Sequence, residues 1–486
     1  MIASPTVVWF RQDLRLQDNP ALTAAATGQV VPVYIWAPQE EGDWPPGGAS
    51  RWWLHQSLTR LDQALRQRNS RLIVRRDSAV SALLSVVRAT GARRVVWNRR
   101  WEPHARAVEA EVRRALAAEG IETDDYESAL LVDPDNLSTR SGGYYQVFTP
   151  FWKALQQLSE PGSPLPVPQL VPLSGGWPPS LTIADLGLLP TPDWAQGLRD
   201  TWVPGEDGAH RVLEEFLGHA VGRYHATRDC PEPAGVSHLS PYLHHGEMGP
   251  RQVWHAVRAA NAERGANLET LDPDGFLRQL AWREFAHHLL AHLPETIAHP
   301  LRPEFSRFPW RDDRSDLRRW QRGHTGYPLV DAGMHQLWQT GWMHNRVRMV
   351  TASFLVKHLL LSWQHGARWF WDTLVDADLA NNTLGWQWTA GCGADAAPYF
   401  RIFNPVAQGE RFDPDGAYVR RWVPALAGAP ARWIHQPWIA TPAEQDAAGL
   451  SAHPRYPQRL VEHHFARTRA LAALQHTRTT PAADSR

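Results

Sequence analysis

Apolar residues over positions 1–130 gather in short β-branched runs: "TVVWF" (6–10), "VVPVYIWA" (30–37), "RLIVRR" (71–76) and "RRVVWN" (93–98). Runs of that length and composition read as buried strands. Amphipathic stretches with helical spacing separate them, among them "RWWLHQSLTRLDQALRQ" (51–67) and "EPHARAVEAEVRRALAAEG" (102–120). Strand–helix alternation predicts a doubly wound parallel sheet over 1–130. Such sheets take ligands outside the carboxyl ends of their strands. The first run is followed by "FRQDLRLQDNPAL" and not by GxGxxG, so an ordinary dinucleotide site is excluded.

The pattern then changes. Residues 131–205, with "SEPGSPLPVPQLVPLSGGWPPS", read as a long interdomain linker. From 206 to 470 the period is helical, and "FLRQLAWREFAHHLLAHL" (276–293) and "MHNRVRMVTASFLVKHLLLSW" (343–363) each predict one long helix. Residues 471–486 read as a frayed C-terminal tail. The expected fold is α/β plus all-α: an N-terminal doubly wound sheet, a linker and a C-terminal helical domain. No apolar run approaches the roughly 18 residues that cross a bilayer. The first run is too short for a signal peptide. No membrane partner and a cytoplasmic location are therefore expected.

Composition alters this picture in four places. The formal net charge is zero, so no global field draws the chain onto nucleic acid. Among the basic residues only Lys153 and Lys357 are lysines; an Arg-lined groove and a coding bias both account for that. Cys230 and Cys392 form no CxxC and argue for a reducing compartment. His287, His288 and His292 share one predicted helix but lack HExxH, and "GCGADA" (391–396) follows no strand. No GxSxG is present, so neither a metal site nor a nucleophilic hydrolase is expected. The fourth feature is tryptophan: 25 residues, two of them separated by a single residue in "NNTLGWQW" (381–388).

Five segments carry a resemblance: "VVWFRQDLRLQDNPAL", "YHATRDCPEPAGVSHLSPYLHHGEMGPRQVW", "FLRQLAWREF", "TGYPLVDAGMHQLWQTGWMHNRVRMVTASFLVKHLLLSW" and "DADLANNTLGWQWTAGCGADAAPYFRIFNP". Together they are similar to the DNA photolyase and cryptochrome family, nearly end to end. The resemblance implies an antenna domain over 1–130 and a helical FAD-binding domain over 206–470. It implies blue-light-driven repair of cyclobutane pyrimidine dimers in UV-damaged DNA, by electron transfer from excited FADH−, with the protein a monomer. The alternative is a cryptochrome photoreceptor acting through a binding partner.

The resemblance also assigns residues. Tyr224, Val236, Ser237, His238, Leu239, Ser240, Phe276, Arg283, Asn345, Arg348, Asp376, Ala377, Asp378 and Asn382 would hold FAD. Val236 stands where a Thr hydroxyl is common. Asn382 would face flavin N5, where plant-type cryptochromes carry Asp. An amide is no acid, and with the lack of a C-terminal effector tail this favours repair over sensing. Trp386, Trp363 and Trp310 match an electron-transfer triad, and Trp282 and Trp388 match the indoles that flank a flipped dimer. Asn345 and Met349 would touch the dimer, and neither is the His that (6-4) repair requires. Gln279 stands where Glu is common, and Arg228, Arg346 and Arg401 match phosphate contacts. His104 and Ala105 replace the Asn-Glu pair that holds folate in some relatives. A second antenna chromophore of folate or deazaflavin type stays open.

Overall fold

The computed structural model describes residues 4–158, 160–232, 235–263, 273–449 and 456–479. Five strands build one sheet: β1 (Thr6–Phe10), β2 (Val30–Ile35), β3 (Ile73–Arg75), β4 (Arg94–Asn98) and β5 (Glu122–Tyr126). Their order is β3-β2-β1-β4-β5 and every pairing is parallel. Alternate residues of β1 enter two separate cores, as a period of two requires. Val8 and Phe10 pack with Leu54, Leu58 and Leu61 on one face. Val7 and Trp9 pack with Leu83, Val86 and Val112 on the other.

The four predicted strands are present, and β5 is an addition. Its sequence, "ETDDY", carries no apolar run. As an edge strand it is held by ionic partners on both faces: Asp124 pairs with Arg94 at 2.7 Å, and Asp125 with Arg113 at 2.7 Å.

The strand order reverses between β1 and β4, where a parallel sheet opens a ligand crevice. Here the chain fills the crevice with its own polar groups. Asn98 Nδ2 donates to Asp13 Oδ2 at 2.6 Å and to Asn19 Oδ1 at 2.7 Å, and Asn98 Oδ1 accepts from the Ala21 amide at 3.2 Å. Gly246 must be glycine: its φ is +68°, and a Cβ there would lie 1.9 Å from the Gln12 carbonyl oxygen.

The contacts divide the chain into two compact units: Met1–Gly222 with Ser237–Pro294 and Val375–Ala380, and Arg223–Val236 with Glu295–Leu374 and Asn381–Arg486. In the first, the Pro-rich stretch 131–205 lies along the sheet: the Val30 amide donates to Val171 O at 3.2 Å and the Leu181 amide to Val74 O at 3.1 Å. It also forms the helix Phe148–Leu155, which buries Phe148, Phe151, Trp152 and Leu155. The helix predicted at 276–293 spans Pro273–His292.

In the second unit the single helix predicted over 343–363 is corrected. It breaks into Asn345–Ser353 and a π-helical turn Phe354–His358, and a new helix starts at Trp363. All five residues of the π turn are buried, Leu360 takes a φ of +53°, and Ser362 caps the next helix by accepting from the Gln364 amide at 3.3 Å. The fraying expected from 471 is corrected as well: the helix His463–Thr479 runs through it and buries Ala473, Leu474 and Thr477. Residues 480–486 lie outside the described residues. Among the described residues no helix is long and apolar enough to cross a membrane, and no cluster of three His, Cys, Asp or Glu could hold a metal.

That last helix docks through an imidazole pair, buried His358 Nε2 to half-buried His463 Nδ1 at 2.9 Å, while Arg469 donates to the His358 carbonyl at 2.5 Å. Burial, with His463, Arg469 and Lys357 close by, holds His358 down to about 3. Unfolding returns it to about 6.5. Between those values the unfolded chain binds the extra proton, so stability falls as pH falls, by up to about 1.4 kcal/mol per pH unit. Chemical denaturation at pH 7.5 and pH 5 should show a larger loss for the native chain than for His358→Phe. Equal losses would remove His358 from the acid limb.

Candidate active site

In the first unit the segment Val375–Ala380 is held from behind. His245 Nε2 donates to the Val375 carbonyl at 3.1 Å, and its ring stacks on Trp53 with centroids 5.6 Å apart. Trp53 in turn donates to Glu247 at 3.0 Å. Asp376, Ala377 and Asp378 are all buried. The Asp378 carboxylate meets His287 Nε2 at 3.2 Å and His244 Nδ1 at 3.8 Å. Burial by itself would raise its pKa, but the two imidazoles outweigh that and hold it well below the usual carboxylate range.

Ser237, His238, Leu239 and Ser240 lead into a short helix, Ser240–His245. His238 adopts a φ of +53°, and burial, opposed by Asp376, lowers its imidazole to about 4. Phe276 is buried against Phe216 at 4.5 Å, and Arg283 donates to the Ala129 carbonyl at 2.6 Å. A cavity of about 20 Å³ opens among Asp13, Asn98, Trp101, Leu243, His287 and Asp378. From Glu102 an ionic file continues outward: Arg100 at 3.3 Å, then Glu41 at 2.6 Å, then His104, whose Nε2 lies 2.8 Å from Glu41. On the same unit Trp282 is half-buried, and Gln279 Nε2 reaches the Gly275 carbonyl at 3.4 Å.

In the second unit Asn382, Trp386 and Trp388 stand on the helix Leu379–Ala390. Each helical residue turns by 100°, so residues two apart face nearly opposite ways. Trp386 is 2% exposed and packs on Phe370 at 5.0 Å and Trp320 at 6.2 Å; Trp388 is half-buried. Asn382 Nδ2 donates to the Ala367 carbonyl at 3.0 Å. Trp363 is buried at the start of its helix. Trp310 is half-buried and lies beside the segment leading to Trp363, since the Arg311 amide donates to Leu360 O at 2.7 Å.

Asn345 Nδ2 and Met349 Sδ are 3.8 Å apart, on one helix face. Arg346 pairs with Asp229 at 2.9 Å and lies over the Phe412 ring at 4.4 Å. Arg348 Nε donates to the Met343 carbonyl at 2.7 Å, and Arg228 lies over Tyr224 at 5.6 Å. Val236 is half-buried. Arg401 is exposed, and its carbonyl accepts from Lys357 Nζ at 2.8 Å. Burial lowers that lysine to about 7.

Residues 6–169 match the family described as DNA photolyase, and residues 276–476 match the FAD binding domain of DNA photolyase. A deoxyribodipyrimidine photo-lyase of Agrobacterium fabrum is 46% identical over 97% of both chains. Cryptochrome-2 of Arabidopsis thaliana is 39% identical over 97% of this chain and 79% of its own. The crystal structure of a bacterial class III photolyase from Agrobacterium tumefaciens superposes with a TM-score of 0.94, at 45% identity, over 99% of each chain.

The chain belongs to the DNA photolyase and cryptochrome family. The photolyase cofactor, FAD, fits the residues present. Asp376 and Asp378 are buried carboxylates that would accept hydrogen bonds from its donors, and His287 Nδ1 is buried with no hydrogen-bond partner among the described residues. Two residues that fix the geometry here carry no motif in the sequence. Gln387, between the two tryptophans, is buried and donates to the Thr296 and His299 carbonyls at 2.7 and 2.8 Å, which fixes the helix rotation. Gly366 lies under Trp386. A Gln flanked by two Trp, and a lone Gly inside a helical run, are the signals the sequence offers.

A Cβ on Gly366 would fall 2.0 Å from Trp386 Cη2. Gly366→Ala should cost about 1–3 kcal/mol through overpacking. In a Trp386→Phe background, where the ring is smaller, the cost should shrink. Thermal melting of the two singles and the double closes that cycle; additive losses would mean the contact is not the cause.

Proposed function

We propose that this protein repairs cyclobutane pyrimidine dimers in UV-damaged DNA under blue light. Fully reduced FAD, when bound, supplies the photoexcited electron that the dimer accepts and then returns, so the reaction has no net redox change. The observation that carries the reading is the split of the two neighbouring indoles: Trp386 is sealed against Phe370 and Trp320, while Trp388 is half-buried on the other side of the helix.

Trp386, Trp363 and Trp310 feed the cofactor with electrons from outside, since indole is readily oxidised and Trp310 retains exposure. Trp282 and Trp388 offer flat faces to the flipped lesion. Asn345 and Met349 contact it from one helix face, and Gln279 bonds a base edge. Arg228, Arg346 and Arg401 contact the DNA backbone, an interaction damaged and undamaged DNA share. Asp376, Asp378 and Arg348, with Tyr224, Val236, Ser237, His238, Leu239, Ser240, Phe276, Arg283 and Asn382, hold FAD. An antenna chromophore of folate or deazaflavin type is open to the same protein. The reading includes a cytoplasmic monomer; the free thiols of Cys230 and Cys392 suit a reducing compartment.

Two substitutions separate the roles. Trp386→Phe should abolish rapid photoreduction of oxidised FAD and spare repair by enzyme reduced chemically beforehand. Trp282→Ala should weaken dimer binding by roughly 5- to 150-fold, the equivalent of about 1–3 kcal/mol of stacking per base. Its binding to undamaged DNA at fixed salt should barely change. The assay is repair of a defined dimer oligonucleotide by reduced enzyme in light. Photoreduction without repair would turn the assignment to a photosensor, and repair of (6-4) photoproducts would contradict the lesion pocket.

A further inference from the structure

Trp282 does not stand alone on its helix. Its indole lies face to face with Phe148, with centroids 3.7 Å apart and planes at 6°. Phe148 is 1% exposed and opens the helix Phe148–Leu155, in the stretch that composition marks as a linker. Phe285 closes the arrangement from the edge, at 5.9 Å from Phe148 and 5.8 Å from Trp282, with both pairs T-shaped. Arg278, one helical turn before Trp282, caps the Phe148 ring with its guanidinium at 5.5 Å. The residues after Trp282 fasten the same stretch: Arg283 donates to the Ala129 carbonyl at 2.6 Å, and Glu284 accepts from the Leu131 and Val132 amides at 2.8 and 3.2 Å.

We propose that Phe148 is a positioning residue for lesion recognition: it covers one face of Trp282 and fixes the plane in which the remaining indole surface meets a flipped pyrimidine dimer. The proposal rests on the stacking role given to Trp282 above. An indole with one face covered and one edge blocked has lost its rotamer freedom before the lesion arrives. Binding then avoids the cost of ordering that side chain. An aromatic pair adds about 0.5–1.5 kcal/mol beyond its buried area, so the ring, and not bulk alone, holds the plane.

The test compares Phe148→Met, which conserves volume without a ring, with Phe148→Tyr, which keeps the ring. FAD content and melting temperature serve as folding controls. Phe148→Met should weaken binding of a dimer oligonucleotide by roughly 2- to 10-fold, raise KM in the repair assay, and leave kcat at saturating dimer and affinity for undamaged DNA unchanged. Phe148→Tyr should retain native dimer affinity. In a Trp282→Ala background, Phe148→Met should cause no further loss. Additive losses in that double variant, or equal losses for Met and Tyr, would overturn the proposal while leaving the role of Trp282 intact. A Trp282→Ala protein that binds dimers normally would overturn the underlying stacking role instead.

Discussion

The rotation of one helix governs where the chemistry sits. Leu379–Ala390 turns 100° per residue, so "WQW" sends its two indoles to opposite sides and its glutamine between them. The helix cannot roll, because Gln387 spends its whole amide on fixed backbone: two carbonyls accept from Nε2, and Oε1 accepts from the Leu301 amide at 3.0 Å. A buried amide that lost those partners would leave several polar groups unsatisfied, at about 1–3 kcal/mol each. Register and rotation are therefore set by hydrogen bonds, and the hydrophobic contacts of Trp386 follow from them.

Charge is handled with the same economy. Arg346 is one of the cations assigned to DNA, yet it already pairs with Asp229 and lies on Phe412. An anion approaching it meets a guanidinium whose plane is set, since stacking and a carboxylate define its orientation. Lysine offers no such plane, so the near-absence of lysine has a physical use wherever an Arg lies on a ring, whatever its genomic origin. Zero net charge is compatible with this, because the field that matters is local.

The sequence made the alternating strands and the long helix through Trp282 legible, since each rests on a period. What it concealed rests on partners distant in the chain. β5 is polar and exists through Arg94 and Arg113. The break after Ser353 hides in "FLVKHLLL", where unbroken apolarity masks a π turn. The helix that runs past 470 docks on His358 through its own His463 and Arg469. The Pro-rich stretch reads as a spacer by composition, yet Phe148 within it touches Trp282, 134 positions on, and no local signal marks such a pair.

Asn382 illustrates how a neighbour can choose between an amide and an acid. Its Nδ2 donates to the Ala367 carbonyl at 3.0 Å, which fixes the amide's orientation and leaves Oδ1 as the other polar atom. An ionised aspartate in the same place would set a carboxylate oxygen against that carbonyl, a contact between two acceptors. Only the protonated acid could donate, so Ala367 would raise the pKa of an Asp there. The backbone at Ala367 thus accepts either an amide with no proton to release or a carboxylic acid that keeps one. In the role proposed for it beside flavin N5, Asn382 would offer a hydrogen bond but no proton, which is what a repair cycle with no net redox or proton change requires.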